Sequence, residues 1–202
     1  MKKLLAVWML VAAAAVGLAA QVAPSLGVKD ANSISEAELA AIPGVTPAIA
    51  KAIAAKRPFA SITELNALLL AQGLTAEQAM AVYTKAFVHI NLNTATPEEI
   101  LLVPGAGRRM VREFAEYRPW RSWAQFDKEI GKYVGGAENA RKLAQYTFIP
   151  MNANTASDAD LLTVPGANQA WADKLKKGRP YKSAADLEKA LGRGQARFFV
   201  VE

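Results

Sequence analysis

Apolar residues recur along this chain at helical spacing, in short stretches divided by tight turns. Ile49 and Ile53, Met110 and Phe114, and Trp171 and Leu175 each stand four residues apart, so each pair falls on one helix face. Leu65, Leu68 and Leu69 mark a further inward stripe. Polar start signals precede these stretches. Ser35-Glu36-Ala37-Glu38 reads as a capping box, with the serine oxygen taking a third-residue N–H and the glutamate reaching back. Thr96-Pro97-Glu98-Glu99 repeats the box with proline at the first helical position, where its missing N–H costs nothing. Ser157-Asp158-Ala159-Asp160 is a third box, and Ser61, Ser122 and Ser183 offer a further cap each. Pro-Gly ends the first short helix after each box, and Arg-Pro ends the helix that follows. A later turn at Gln72-Gly73-Leu74-Thr75, or at Val134-Gly135-Gly136-Ala137, precedes a fourth helix. Strand character is confined to the linkers Phe87-Val88-His89-Ile90 and Phe148-Ile149-Pro150-Met151. The pattern predicts an all-α fold.

The same signals return at an offset of 61 residues. Ile42-Pro43-Gly44-Val45 recurs as Val103-Pro104-Gly105-Ala106 and Val164-Pro165-Gly166-Ala167. Arg57-Pro58-Phe59 recurs as Arg118-Pro119-Trp120 and Arg179-Pro180-Tyr181, and Asn32 as Asn93 and Asn154. No gap is needed to hold this register, so the chain divides into units 30–90, 91–151 and 152–202. The third is truncated, its last hairpin compressed into Leu191-Gly192-Arg193-Gly194-Gln195.

Ahead of the repeats, Lys2 and Lys3 precede an uncharged, mostly apolar run, with small residues Gly17 and Ala19 placed for a cut after Ala19. Residues 1–20 are expected to be a secretory signal peptide. The other reading is an uncleaved anchor, since the apolar run can be stretched over residues 4–23, just enough to cross a bilayer. Either way the repeats are expected outside the cytoplasm, in the periplasm or on the outer membrane face. Residues 21–29 look like a short flexible leader.

Composition narrows the chemistry. Cysteine is absent, which removes disulfides, thiolate metal sites and cysteine nucleophiles. The single histidine, His89, leaves little for a zinc site or a serine triad and is expected at the surface. The carboxylates Glu38, Glu99 and Asp160 are accounted for by capping, and no nucleophile, base and stabiliser stand out together. A non-enzymatic binding protein is therefore expected, with no cofactor, metal or small-molecule substrate. Net charge is +6, and by unit it is −1, +2 and +2, a weak excess for a protein meeting many phosphates. Trp120 and Trp171 alternate with aliphatic or aromatic residues under the repeat and are expected in the core, with Trp123 less clearly so.

The run Asn93-Thr94-Ala95-Thr96-Pro97-Glu98-Glu99-Ile100, with Val103-Pro104-Gly105-Ala106-Gly107 and Tyr117-Arg118-Pro119-Trp120, resembles the ComEA-type helix-hairpin-helix family. The resemblance covers essentially the whole chain after the leader, three times over, and is strongest in the second unit. It implies two hairpins per unit, related by a pseudo-twofold. The family is typified by exported, membrane-linked DNA receptors. A similar double hairpin occurs in a lumenal extrinsic subunit of photosystem II, where it serves protein contact, so fold does not settle function.

A Gly-apolar-Gly turn lets backbone approach a phosphate, and the free N–H groups of the next helix point at the anion. Such contacts grip double-stranded DNA without reading bases. The second unit has the full turn, Gly105-Ala106-Gly107, followed by Arg108, Arg109 and Arg112. Arg141 and Lys142 are candidates for the same face. The bland reading pairs Arg109 with Glu113 and Arg112 with Glu116 on the helix surface. Gly44 and Val45 in the first unit, and Gly166 and Ala167 in the third, are weaker candidates. There Thr46 and Asn168 replace the second glycine and can cap the next helix. Lys174 and Lys177 add charge to the third unit. The main alternative to DNA is a scaffold that docks on a membrane protein complex.

Overall fold

The structure, a computed structural model, describes residues 22–202. Most helices begin where a short polar side chain satisfies a free N–H, and three begin at glycines instead. Strand β1 (Lys29–Asp30) is followed by α1 (Glu36–Ala40), α2 (Pro47–Lys56), α3 (Ile62–Ala71), α4 (Ala76–Tyr83) and β2 (Ala86–Phe87). Next come β3 (Ile90–Asn91), α5 (Pro97–Leu101), α6 (Arg108–Glu116), α7 (Trp123–Val134), α8 (Ala137–Ala144) and β4 (Thr147–Phe148). The chain closes with β5 (Met151–Asn152), α9 (Asp158–Leu161), α10 (Gln169–Lys177), α11 (Ala184–Leu191), α12 (Arg193–Ala196) and β6 (Phe199–Val200). Both arms of the capping box are present at α1, α5 and α9. Ser61, Ser122 and Ser183 cap α3, α7 and α11.

The protein is mostly α, with one feature an all-α reading lacks. Its two-residue strands pair in parallel: β1 with β2, β3 with β4, and β5 with β6. A parallel pair needs a long crossover, and here four helices supply each one. The linkers 87–90 and 148–151 show strand character in sequence. Of their partners, Lys29–Asp30 shows none, while Phe199–Val200 has strand-forming residue types beyond the two linkers expected to carry it.

The leader is not a loose tether. The Val22 amide donates to Thr163 Oγ1 at 3.2 Å, and the Leu26 amide to Gln145 Oε1 at 3.0 Å. Val22, Ala23 and Val28 are buried. Val22 and Ala23 are also the last two residues of the stretched apolar run, and here they pack against protein. The rest of that run, and the expected cleavage after Ala19, lie outside the described residues. Among the described residues no helix is long and apolar enough to cross a membrane.

One hydrophobic core runs from Ala23 to Ile149, and a second gathers Val22, Phe148 and the buried residues from Met151 to Phe199. Phe59, Trp120 and Tyr181 are buried, and the Trp120 indole N–H donates to the Phe114 carbonyl at 2.8 Å. Residues 152–202 then turn back onto the first segment. Arg197 Nη2 donates to Asp30 Oδ2 at 3.1 Å, and Arg197 Nη1 to the His89 carbonyl at 2.8 Å. His89 is therefore buried, against the surface expectation, with Nδ1 at 2.9 Å from Asp30 Oδ2. A linker histidine needs a polar partner to be buried, and the partner comes from β1, 59 residues away.

Candidate nucleic-acid interface

The three turns that follow α1, α5 and α9 share a backbone. Val45, Ala106 and Ala167 each donate their amide three residues back at 2.9 Å, to Ile42, Val103 and Val164. Gly44, Gly105 and Gly166 sit at φ +86, +83 and +79, where a side chain is strained. Val45 and Ala106 are buried and Ala167 half-buried, so these side chains anchor the turn from inside.

The next residue separates the turns. Thr46 Oγ1 accepts from the Ile49 amide at 3.3 Å, and Asn168 Oδ1 from the Trp171 amide at 2.9 Å. Both helix starts are thus capped from within. Gly107 opens α6 with no side-chain cap. Its backbone is extended, φ −94 and ψ −175, and a Cβ there would meet nothing within 4 Å. Neither conformation nor space requires glycine at Gly107, and its absent side chain leaves the first turn of α6 open to an outside acceptor.

The arginines behind this turn are held from below. Glu113 is buried at 1% exposure, and its Oε1 lies 2.7 Å from Arg112 Nη2 and 3.7 Å from Arg109 Nε. Arg112 thus pairs with the next residue rather than with Glu116 one turn on. Its hydrogen bond holds the Glu113 carboxyl below the usual range. Arg109 also stacks over Tyr133, 4.4 Å from the ring centroid, and the Tyr133 and Tyr117 hydroxyls lie 2.9 Å apart. Arg108 is exposed with no ion pair among the described residues. Two guanidinium groups therefore share one buried carboxylate, and Arg108 beside them adds a further positive charge next to the uncapped turn.

The other candidates are employed elsewhere. Arg141 is bound to Asp127 of α7 by two hydrogen bonds, at 3.0 and 2.9 Å, and Lys142 donates to Asn139. Lys174 and Lys177 stand in the last turn of α10, about 9 and 13 Å along the axis from Asn168. There they complement the C-terminal end of the helix dipole and do not join the turn. The Gly166-Ala167-Asn168 turn itself lies against the first segment. A Cβ on Gly166 would stand 3.5 Å from Ser33 Cβ, and nearby Thr163 receives the Val22 amide. Gly44, Val45, Gly166 and Ala167 therefore build capped structural turns, unlike Gly105-Ala106-Gly107.

Two repeated residues have roles that motif reading did not assign. Asn32, Asn93 and Asn154 each clamp a backbone across 27 residues, accepting from the amide and donating to the carbonyl of Phe59, Trp120 and Tyr181. Arg118 donates to the Leu92 and Ala95 carbonyls, and Arg179 to those of Ala153 and Ala156. The signal was their strict return at the repeat offset. Among the described residues, no three acidic or histidine side chains are grouped to hold a metal ion. Compared with protein-family models, with curated proteins and with solved structures, the chain matches none.

Proposed function

We propose that this chain is an exported, non-enzymatic protein of three tandem helix-hairpin-helix units, the third truncated, that grips double-stranded DNA by its phosphates. The observation that carries the reading is the turn Gly105-Ala106-Gly107: uncapped, open above Gly107, and followed by Arg108, Arg109 and Arg112. A phosphate there would take the role that Thr46 and Asn168 fill at the other two turns, and the arginines would add charge-assisted contacts. Export rests on Lys2, Lys3 and the apolar run that follows.

The test is binding of the chain from Gln21 onward to a labelled duplex at two salt concentrations. Wild type should bind, with affinity falling steeply as salt rises. The triple variant Arg108→Ala, Arg109→Ala, Arg112→Ala should lose most of this binding and flatten the salt dependence. Absence of binding at low salt would sink the DNA reading.

A second reading is a scaffold for a protein complex. Leu101 and Leu162, at equivalent repeat positions, are 41% and 44% exposed, and Leu26 is 60% exposed. If DNA fails to bind, the same preparation should retain a membrane protein through these leucines, and Leu101→Ser with Leu162→Ser should release it.

A further inference from the structure

The segment 152–202 covers one particular face of the first segment. A Cβ on Gly194 would stand 3.0 Å from Pro58 Cβ, so the backbone of α12 lies directly on that proline. Arg197 reaches Asp30 and the His89 carbonyl, and Ala60 lines the same seam. Moved by the repeat offset of 61, these positions become Pro119, Asn91, Pro150 and Arg121. In the second segment all four line an open cleft of about 540 Å³, with Thr94 and Glu202 at its edges. The face that α12 fills in the first segment is left open in the second among the described residues.

The substitutions between the two faces invert their polarity. Asp30 offers a carboxylate, which takes the Arg197 guanidinium. Asn91 keeps the local role, accepting the Asn93 amide at 2.9 Å as Asp30 accepts the Asn32 amide. Its remaining group, however, is an amide donor, with no partner among the described residues. Arg121 replaces Ala60 and is exposed, with no ion pair among the described residues. Glu202, the acidic residue that lines the cleft, lies at the Asn152 side, where its main-chain oxygen accepts from Asn152 at 3.4 Å.

We propose that this cleft docks an acidic segment of a partner protein: a helical turn with a small residue against Pro119 and a carboxylate toward Asn91 and Arg121. The geometry is that of Gly194 and Arg197 on the first segment, with the charge reversed. The inference rests on the repeat reading and is independent of DNA.

The test uses two peptides with the sequence of residues 192–199, one native and one carrying Arg197→Glu, added at millimolar concentration to the isotope-labelled chain. The Glu peptide should shift the amide resonances of Asn91, Thr94 and Arg121, and the native peptide should leave them in place. The double variant Asn91→Asp, Arg121→Ala copies residues the first segment already carries, so its fold is kept. In it the preference should reverse. No shift at the cleft with either peptide, or equal response to both before and after the swap, overturns the proposal. Duplex binding should persist after the swap, weakened only by the two units of lost charge, since residues 105–112 are untouched, so failure of either reading leaves the other standing.

Discussion

Asn93 takes up both polar groups of the Trp120 backbone, at 2.6 Å from the amide and 3.1 Å from the carbonyl. Replacing it with alanine strands a donor and an acceptor beside a buried indole. Asn93→Ala should cost about 1–3 kcal/mol, read as a lower urea midpoint, and Asn93→Asp should recover part of it by restoring the acceptor. Asp30 makes a different prediction. Burial pushes its carboxyl up, but the His89 hydrogen bond and the charges of His89 and Arg197 outweigh this, and its pKa lies below the ordinary value. A carboxyl depressed in the folded state contributes stability above its unfolded pKa of about 3.9, lost as pH falls through the folded value. Stability should therefore fall below about pH 4. Asp30→Asn should flatten that fall while lowering stability at neutral pH, as urea midpoints across the acid range would show. Asn93 was legible as a repeated residue but not as a clamp. Asp30 was not legible at all, because its partners lie 59 and 167 residues away and no local pattern joins them.

At the level of elements, local chemistry accounts for nearly every helix start. The capping boxes at Ser35, Thr96 and Ser157, and the caps Thr46 and Asn168, form as the residue types dictate. Three starts lack a side-chain cap, at Gly107, Gly136 and Gly192. Gly136 and Gly192 sit at φ +110 and +78, where the turn itself calls for glycine; Gly107 does not, and it is where a ligand is proposed. Gly107→Asn should cap α6, leaving stability unchanged or raised by a few tenths of a kcal/mol, while weakening DNA binding. A residue that served the fold alone would not separate thermal melting from affinity in this way. Gly131 sets the opposite test. It lies inside α7, where alanine gains about 1 kcal/mol of helix propensity, but a Cβ would stand 3.1 Å from the Gly136 carbonyl carbon and 3.2 Å from the Ala137 nitrogen. Backbone cannot yield as a side chain does, so Gly131→Ala should destabilise by about 1–3 kcal/mol. The strands were half legible. Two residues make too short a run for alternation to register, and a parallel partner four helices away leaves no sequence trace.

Over the whole molecule, the units do not lie in a row as a tandem repeat alone suggests. Thr163, Gly166, Gly194 and Arg197 bring the third segment against the first. Contact between the first and last segments depends on residues that the sequence repeat does not preserve, chiefly Asp30, His89 and Arg197. Removing one partner of a buried ion pair costs on the order of 3–5 kcal/mol. Arg197→Ala should therefore speed hydrogen exchange at β1, β6 and α12 well before it affects α5 to α8.

The seam has a consequence for the order in which the molecule is completed. Asp30 is made early on the ribosome, and Arg197 follows 167 residues later. Until then the first two segments can build their shared core, yet the buried carboxylate at its edge has His89 and the Asn32 amide but no guanidinium. Closure joins residues 167 apart in sequence, and distant contacts form slowly. A chain that stopped before Gly192 would keep the helices of its first two segments and leave open the face on Pro58 that α12 covers.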